Sequence, residues 1–295
     1  MILPEDRWWA AEPKWRAAEE YGFDHAWTYD HLGWRSLVDG PWFSAVPTLT
    51  AAATVTTSIS LGTFVASPNF RHPVPFMREL ITLDDIADGR IILGVGAGGL
   101  GYDTVVTGEP QLTQKQRTDR FGEFLEALDG LLTTDRFTFS GQYYQVNEAR
   151  NLPGPVQRPR LPFLVAANGP RAMRLAARFG AGWVTTGAGP DDPERAGALD
   201  AWWHKIAELG KRFDAILDDE GRDPAGVARY LSVDAAPVFS LSSPQVFADA
   251  VGRAEDAGFT DVVVHWPRSS GPYAGRETVL EQVVADVLPG VQHRA

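Results

Sequence analysis

The sequence predicts an α/β fold, namely a (β/α)8 (TIM) barrel with a truncated first strand and a short insertion after its fourth strand and helix. The prediction rests on three features. Short β-branched runs alternate with amphipathic segments along the chain, which is typical of a parallel sheet built from strand–helix–strand units. The runs number about eight, as in a barrel, whereas a doubly wound sheet more often has fewer strands or a visible break. No internal repeat interrupts the pattern, so we expect residues 1–295 to form a single domain.

Glycine and proline mark several ends of the predicted elements. Pro4 stops the first strand after three residues, Gly22 ends the first helix, and Pro73 fits the first turn of another helix. The predicted strands are residues 1–3, 24–28, 60–66, 90–95, 163–167, 182–186, 230–234 and 261–266. The predicted helices are residues 12–21, 44–56, 73–87, 120–132, 171–179, 193–219, 244–257 and 276–288.

The predicted insertion lies between the fourth helix and the fifth strand. Helix 120–132 is strongly amphipathic, because its large apolar residues recur on one face. After it, residues 137–146 have the pattern of a small hairpin with Ser140-Gly141 at its centre. A proline-rich stretch then continues to Pro162, and we interpret it as an excursion from the barrel and not as a domain boundary.

Composition and charge exclude several classes of protein. The formal net charge of -11 argues against nucleic acid and anionic membranes as partners. The absence of cysteine removes disulfides, thiolate nucleophiles and the common structural zinc sites, and it agrees with a cytoplasmic location. No run of about 18 apolar residues occurs, and the first residues do not read as a signal peptide. We therefore expect a cytoplasmic globular protein that does not bind nucleic acid or span a membrane.

Residues 27–35 concentrate aromatic rings, one acid and one histidine directly after a predicted strand. Because α/β proteins place their chemistry in such loops, we expect this loop to border a cofactor pocket. His31 is the candidate proton donor or acceptor, since imidazole exchanges protons near neutral pH. A purely structural role for His31 stays open. A metal centre is not expected, because no metal-binding spacing of ligands occurs, although one assembled from separate strand ends stays open. No G-x-S-x-G elbow is present to indicate a serine hydrolase.

A glycine-rich loop, residues 94–99, follows the fourth predicted strand and satisfies G-x-G-x-x-G. A dinucleotide site of that type needs a helix to begin at once, and here Gly101 and Pro110 intervene. The loop is better interpreted as one that lets a flat ring or a substrate approach the backbone. A simple strand–helix turn remains the plain alternative.

The loop after the fifth predicted strand is the better candidate for holding a phosphate. Asn168 and Gly169 precede Pro170 near the first turn of a helix, where free amides and the helix dipole attract anions. Arg171 could add a charged donor. Thr186, in the stretch Thr185-Thr186-Gly187-Ala188-Gly189 after the next strand, could supply a second side of this cradle.

Motifs in the expected order over nearly the whole chain resemble the bacterial luciferase-like monooxygenase superfamily of FMN- or F420-dependent oxidoreductases. The matching stretches are residues 18–24 with Trp27 and Asp30-His31, then 61–63 to Pro68, Arg71-His72-Pro73, 83–98 and 169–171 through 180–183. The combination of Leu83-Asp84 with Gly89-Arg90 and Leu93-Gly94-Val95-Gly96 is quite specific. The resemblance implies a barrel that binds FMN or F420 at the C-terminal ends of its strands.

The resemblance also implies roles for individual residues. Phe64 and Val65 fall where F420-dependent members have a bulge with a non-proline cis peptide behind the ring. Ser67 would face the pyrimidine edge of the ring. Asn168 and Gly169 would lie near the phosphate. Arg171 and Thr186 are predicted on the phosphate side from the loop pattern described above and not from the resemblance. The residues of the glycine loop expected against the ring are Ala97, Gly98 and Gly99.

Residues 30–34 are similar to the Asp-His...Trp element of the F420-dependent sugar phosphate dehydrogenases, in which the histidine and tryptophan touch the reacting centre. His31 and Trp34 are therefore the predicted catalytic residues. Those enzymes carry an acidic glutamate after the glycine loop, where this chain has Gly99, so a sugar phosphate is not the expected substrate. The predicted wall of the substrate pocket consists of Trp42, Phe43 and Trp266.

The leading functional hypothesis is hydride transfer between reduced F420, or FMN, and a small organic substrate. The alternatives are an FMN monooxygenase that uses O2 and a separately reduced flavin, and a barrel that binds flavin or another small molecule without turnover. A metal-dependent barrel hydrolase is the most distant alternative. A separate flavin or F420 reductase and a second copy of the chain, as a homodimer, are the expected protein partners.

Overall fold

The computed structural model describes residues 1–187 and 196–292. The chain divides into two compact units, one made of residues 2–165 and the other of Met1 with residues 166–295. Both units are α/β, and the strands whose pairing is described within each unit's main sheet run parallel. The helices and strands of each unit are given below.

The unit of residues 2–165 is built on the strand order β1-β2-β3-β6. Its strands are β1 (His25–Thr28), β2 (Ser60–Thr63), β3 (Ile91–Gly96), the hairpin β4 (Arg136–Ser140) and β5 (Gln145–Arg150), and β6 (Phe163–Ala166). Its helices are α1 (Trp8–Glu20), α2 (Ala45–Val55), α3 (Pro73–Ile86), α4 (Tyr102–Val106) and α5 (Gln114–Thr133). The C-terminal ends of β1, β2 and β3 therefore lie at one edge of the sheet, where the loops of interest begin.

Large side chains fill the space between these strands and helices. Trp15 of α1, Trp27 of β1, Phe76 of α3 and Phe121 of α5 are all at most 1% exposed. Gly62 of β2 allows the close approach, because a Cβ there would lie 2.4 Å from the Trp27 ring. This tight packing fixes the strand ends that carry the candidate site.

The other unit carries the strand order β7-β8-β9. Its strands are β7 (Gly182–Thr185), β8 (Ala228–Ser232) and β9 (Asp261–Val263). Its helices are α6 (Pro170–Phe179), α7 (Ala198–Asp219), α8 (Pro244–Asp256), α9 (Glu277–Asp286) and α10 (Leu288–Gln292). Trp183 stacks on Phe213 and Phe259 with ring centroids 4.5 and 5.5 Å apart, and these rings form the centre of this core.

Seven of the eight predicted strands are present, but the first is not a strand. Among the described residues, the stretch 1–3 has no strand assignment, although the Ile2 N–H donates to the Trp27 carbonyl at 2.8 Å. Three residues before Pro4 are too few for a ladder. The predicted start of helix 193–219 lies outside the described residues.

Some predicted boundaries were wrong for identifiable reasons. Helix α5 begins six residues before the predicted residue 120, because Thr113 and Gln116 form a capping box. Strand β8 ends at Ser232 and not at residue 234, since Val233–Ala235 form a 3-10 turn. The predicted hairpin exists, but its strands run from Arg136 to Ser140 and from Gln145 to Arg150.

Candidate active site

The loops after β1, β2 and β3 are bonded to one another at the C-terminal edge of the first unit. Arg71, after β2, makes two hydrogen bonds to the Asp30 carboxylate after β1, at 2.5 and 2.7 Å. Asn69 Nδ2 donates to the carbonyl of Gly99 after β3 at 3.1 Å. A third contact joins His31 Nδ1 to the carboxylate of Asp103 on α4. These three contacts make one continuous site from three separate loops.

His31 is held by the buried carboxylate of Asp103. His31 Nδ1 and Asp103 Oδ2 are 2.6 Å apart, and the Leu32 N–H donates to Asp103 Oδ1 at 2.8 Å. The His31 side chain is 29% exposed, whereas that of Asp103 is 6% exposed. The imidazole is therefore fixed on one side and open to a ligand on the other.

Aromatic rings of this loop cluster around Tyr29, whose ring lies next to that of His31. The buried Tyr29 ring lies 5.0 Å from Trp34, 6.0 Å from His31 and 6.4 Å from Trp42 between centroids. The Trp42 indole N–H donates to the His31 carbonyl at 2.7 Å, so Trp42 braces the loop as well as lining it. Phe43 is 41% exposed, a side chain open to solvent or to a substrate. Of these residues, sequence reasoning missed Tyr29, although it stands directly after a strand.

The segment after β2 contains a cis peptide bond and a buried serine. The peptide between Phe64 and Val65 is cis, as the resemblance implied. Phe64 packs against the edge of Trp27 at 5.6 Å, which directs this segment toward the core. Ser67 is 3% exposed, and its Oγ accepts from the Asn69 N–H at 3.4 Å. Ser67 is thus placed inside the loop cluster.

The glycine loop after β3 packs against a hydrogen-bonded polar pair, Asn69 and Arg120. Gly98 has φ of 72°, and a Cβ there would lie 2.6 Å from the side chain of Asn69. Arg120 of α5 donates to Asn69 Oδ1 at 2.6 Å, and its Nε is buried without a hydrogen-bond partner. Gly99 is exposed, and a Cβ there would meet nothing within 4 Å. Beside these glycines, Ala97 is half-buried. Only a bare backbone fits at Gly98, whereas Gly99 has open space.

The predicted phosphate cradle belongs to the other unit. Gly169 precedes α6, whose first residue is Pro170 and whose start has no side-chain cap. Asn168 and Arg171 are exposed, and Asn168 Oδ1 accepts from Thr185 Oγ1 at 2.5 Å. Thr185 therefore orients Asn168, while the predicted Thr186 is an exposed neighbour. The predicted continuation at residues 188 and 189 lies outside the described residues.

Trp266 and a buried hydrogen-bonded pair, Asp234 and His265, lie after β8 and β9 of the same unit. The Trp266 indole N–H donates to Glu277 at 2.7 Å, which fixes the ring of this predicted wall residue. Asp234 accepts from the backbone N–H and Nδ1 of His265 at 2.6 and 2.9 Å. Burial opposes ionisation of Asp234, but the His265 hydrogen bonds outweigh it and lower the pKa of the carboxyl. Burial lowers the pKa of His265, which we assign as neutral with Nδ1–H donating.

The described part of the chain offers neither a cluster of metal ligands nor a membrane-spanning helix. No group of three or more His, Asp or Glu side chains there is placed to hold a metal ion. No helix among the same residues is long and apolar enough to cross a membrane.

Comparison with known proteins identifies the family. The sequence profile of the luciferase-like monooxygenases matches residues 14–238. An F420-dependent glucose-6-phosphate dehydrogenase from Kineococcus radiotolerans is 31% identical, over 92% of this chain and 90% of that protein. The structure of an F420-dependent secondary alcohol dehydrogenase, in complex with an F420-acetone adduct, has a TM-score of 0.79 at 18% identity, covering 99% of this chain and 98% of the other.

A monooxygenase, RslO1 from Streptomyces bottropensis, has a TM-score of 0.77 at 18% identity, and the match covers 100% of both chains. These two structural likenesses show a shared α/β fold. The matches confirm the family that the sequence motifs indicated. The chain therefore belongs to the luciferase-like monooxygenase family and is an oxidoreductase enzyme.

Proposed function

We propose that this chain is an F420-dependent oxidoreductase that exchanges a hydride between the deazaflavin and a small organic substrate. The observation that carries the proposal is the bonded cluster of three loops, one of them the glycine loop, in which the His31 side chain stays 29% exposed. The relative from Kineococcus radiotolerans, which is named for its F420 dependence, supports F420 as the cofactor. When bound, F420 supplies a two-electron hydride acceptor or donor, and the protein supplies position and proton handling.

The residues of the first unit fit a flat ring. Gly98 leaves no room for a side chain on the Asn69 face, and Gly99 opens toward free space, so a ring can approach the backbone closely. We propose that Phe64, Val65 and Ser67 hold the ring on the other side. In the second unit, Asn168 and Gly169 with the free amides of α6 are the proposed phosphate contacts, aided by Arg171 and Thr186.

His31 is the proposed proton donor or acceptor. Its ring is 29% exposed, and its carbonyl and Nδ1 are both fixed by neighbours, so it can present one edge to a substrate. The Trp34 ring packs against Tyr29, whose ring in turn contacts that of His31. Trp34 is the proposed second catalytic residue. Trp42 and Phe43 are the proposed walls of an aromatic substrate pocket, and the wall role of Trp266, in the other unit, stays a prediction from the sequence. Because Gly99 carries no acid, the set of proton-donating side chains proposed here differs from that of the sugar phosphate dehydrogenases.

The remaining proposals extend the family assignment. We retain a single (β/α)8 barrel domain over residues 1–295, supported by structural matches that cover at least 99% of the chain. We also retain a homodimer, a cytoplasmic location and a separate reductase for the cofactor as predictions. An FMN monooxygenase is the second candidate, because RslO1 shares the fold over its whole length.

Separate titrations of F420 and FMN, followed by tryptophan fluorescence, distinguish these candidates. The chain has ten tryptophans, so binding should be readily visible. We expect F420 to bind at least tenfold more tightly than FMN. Tighter binding of FMN, with oxygen-dependent turnover, would favour the monooxygenase. Binding of neither ligand below millimolar concentration would contradict the proposal.

Turnover of the His31→Ala variant tests the catalytic assignment. We expect kcat to fall by about 10²–10⁴, the usual contribution of general acid–base catalysis, with F420 affinity nearly unchanged. His204→Ala is the matched control, because His204 lies on α7 with a 78% exposed side chain. Equal losses of turnover and cofactor affinity in the His31 variant would recast His31 as cofactor scaffold. Tight F420 binding without oxidation of any acceptor would favour a non-catalytic binding protein.

A further inference from the structure

We propose that Asp103 is a positioning residue that holds His31 in the Nδ1–H tautomer, so that Nε2 is the atom that exchanges the substrate proton. The catalytic consequence rests on the proposed function, whereas the tautomer itself does not. Asp103 lies 72 residues from His31 in the sequence, on the short helix α4 that follows the glycine loop.

The hydrogen-bond inventory of Asp103 fixes the position of the proton. An ionised carboxylate only accepts hydrogen bonds. Its Oδ1 already accepts from the Leu32 N–H at 2.8 Å, and its Oδ2 lies 2.6 Å from His31 Nδ1. Nδ1 must therefore be the protonated nitrogen, because the contact would otherwise place two acceptors together. In the neutral ring, Nε2 is then left with a free lone pair.

The position of α4 is fixed against the histidine loop. A Cβ at Gly33 would lie 2.8 Å from the Tyr102 ring, so Tyr102 packs directly on the backbone there. Thr107 Oγ1 donates to the Asp103 carbonyl at 2.8 Å and closes the helix. The Asp103 carboxylate is thus held at His31 by the packing of helix α4 against the histidine loop.

Asp103 itself does not serve as the reacting acid. Both of its oxygens are occupied, and its side chain is 6% exposed, so it acts through His31. In oxidation of a hydroxyl substrate, the O–H proton passes to Nε2 while the hydride leaves from carbon to the oxidised F420 of the proposed function. In the reverse direction, the protonated ring returns that proton to the oxygen as the hydride arrives from reduced F420. The protein then needs no acid at Gly99 for the proton on oxygen.

Nitrogen-15 NMR of the histidine rings tests the tautomer without cofactor. The His31 signals are assigned by their loss in His31→Ala. We expect wild-type protein to show a protonated Nδ1 and an unprotonated Nε2 at a pH where the ring is neutral. A protonated Nε2 in wild-type protein would overturn the proposal, and this measurement does not depend on any variant folding.

Asp103→Asn reverses the expected tautomer. The Asn oxygen must accept from Leu32 N–H, so the amide NH2 faces Nδ1 and the proton moves to Nε2. We expect kcat to fall by about 10²–10⁴, the usual contribution of general acid–base catalysis, with a loss of about 10⁴ known for the wrong-tautomer variant of a serine protease. F420 affinity should change less than about threefold. Asp103→Glu should restore part of the activity and the Nδ1–H signal. Asp119→Asn, on α5 in an exposed ion pair with Lys115, is the charge-matched control.

The outcomes distinguish failure of the positioning role of Asp103 from failure of the proposed F420 cofactor. A lost kcat with an unchanged tautomer, or equal losses of kcat and F420 affinity, would overturn the positioning role. The expected tautomers in a protein that binds no F420 would uphold the placement of the proton while contradicting the proposed cofactor.

Discussion

Neutralising Asp30 should destabilise the protein strongly, even though Asp30 stands next to the proposed catalytic histidine. Asp30 is 2% exposed and forms a two-pronged ion pair with Arg71, whose side chain is 9% exposed. Burial alone would lower the pKa of Arg71, but its bonds to Asp30 and Glu79 outweigh this effect and raise it. The guanidinium therefore stays charged and needs its partner.

The magnitude follows from the loss of one partner of a buried pair. Asp30→Asn leaves a buried guanidinium facing an amide that accepts one hydrogen bond instead of two. Removing one partner of such a pair costs about 3–5 kcal/mol. Arg71 Nη1 still donates to Glu79 at 2.8 Å, so we expect the lower end, about 3 kcal/mol. That energy corresponds to a change of about 150-fold in the folding equilibrium.

Urea unfolding followed by tryptophan fluorescence measures this loss. Glu79→Gln is the matched control, because it removes the other carboxylate of the same arginine at a side chain that is 45% exposed. An exposed pair contributes about 0–1 kcal/mol, so the control should unfold close to wild type. Equal and small effects of the two substitutions would refute the argument that burial sets the strength of this pair.

Two further predictions concern Glu19 and the glycine loop. Burial tends to raise the Glu19 pKa, but backbone bonds from Ile59, Ser58 and Thr57 outweigh it and lower the pKa from 4.5 to about 2. The resulting stabilisation is present above pH 4.5 and lost toward pH 2, so wild type should lose about 1–2 kcal/mol of unfolding free energy across that range, which Glu19→Gln should not lose. Parallel acid-unfolding curves would contradict this. Gly98→Ala should cost about 1–3 kcal/mol, because of its φ of 72° and a Cβ 2.6 Å from Asn69, whereas Gly99→Ala should be near neutral in thermal unfolding. Equal shifts of the two melting temperatures would show that Asn69 does not restrict the loop.

The helices and strands were predictable because they depend on local sequence patterns. The β-branched runs and the helix punctuation by Gly22 and Pro73 give elements that the structure places within a few residues. The missed boundaries depend on side-chain caps and short turns, as at Thr113 and Val233, which the hydrophobic period does not register. Met1–Leu3 carry strand-like residues but are too short to form a ladder of their own.

The site was predictable only where a single loop shows its chemistry. His31 and the glycine loop stand out because each contains unusual residues directly after a strand. Asp103, Asn69 and Arg71 do not, since each looks like an ordinary polar residue and acquires its role from a partner 72, 30 and 41 residues away. The sequence shows that position 99 is a glycine, but only the fold brings the carboxylate four positions later, Asp103, to His31.

These long-range contacts explain how a loop can hold the proposed catalytic histidine in a fixed position. Asp30 is fixed by Arg71, the His31 carbonyl by the Trp42 indole, and the Leu32 N–H by Asp103. Three successive residues are thus each fixed by a different partner. The conformational entropy of ordering the loop is lost on folding and not on ligand binding. A loop fixed in this way can vary its exposed wall residue, Phe43, without losing the position of the imidazole. Substrate preference should therefore change more readily by substitution at Phe43 than at Asp30, Trp42 or Asp103, whose loss would move the histidine itself.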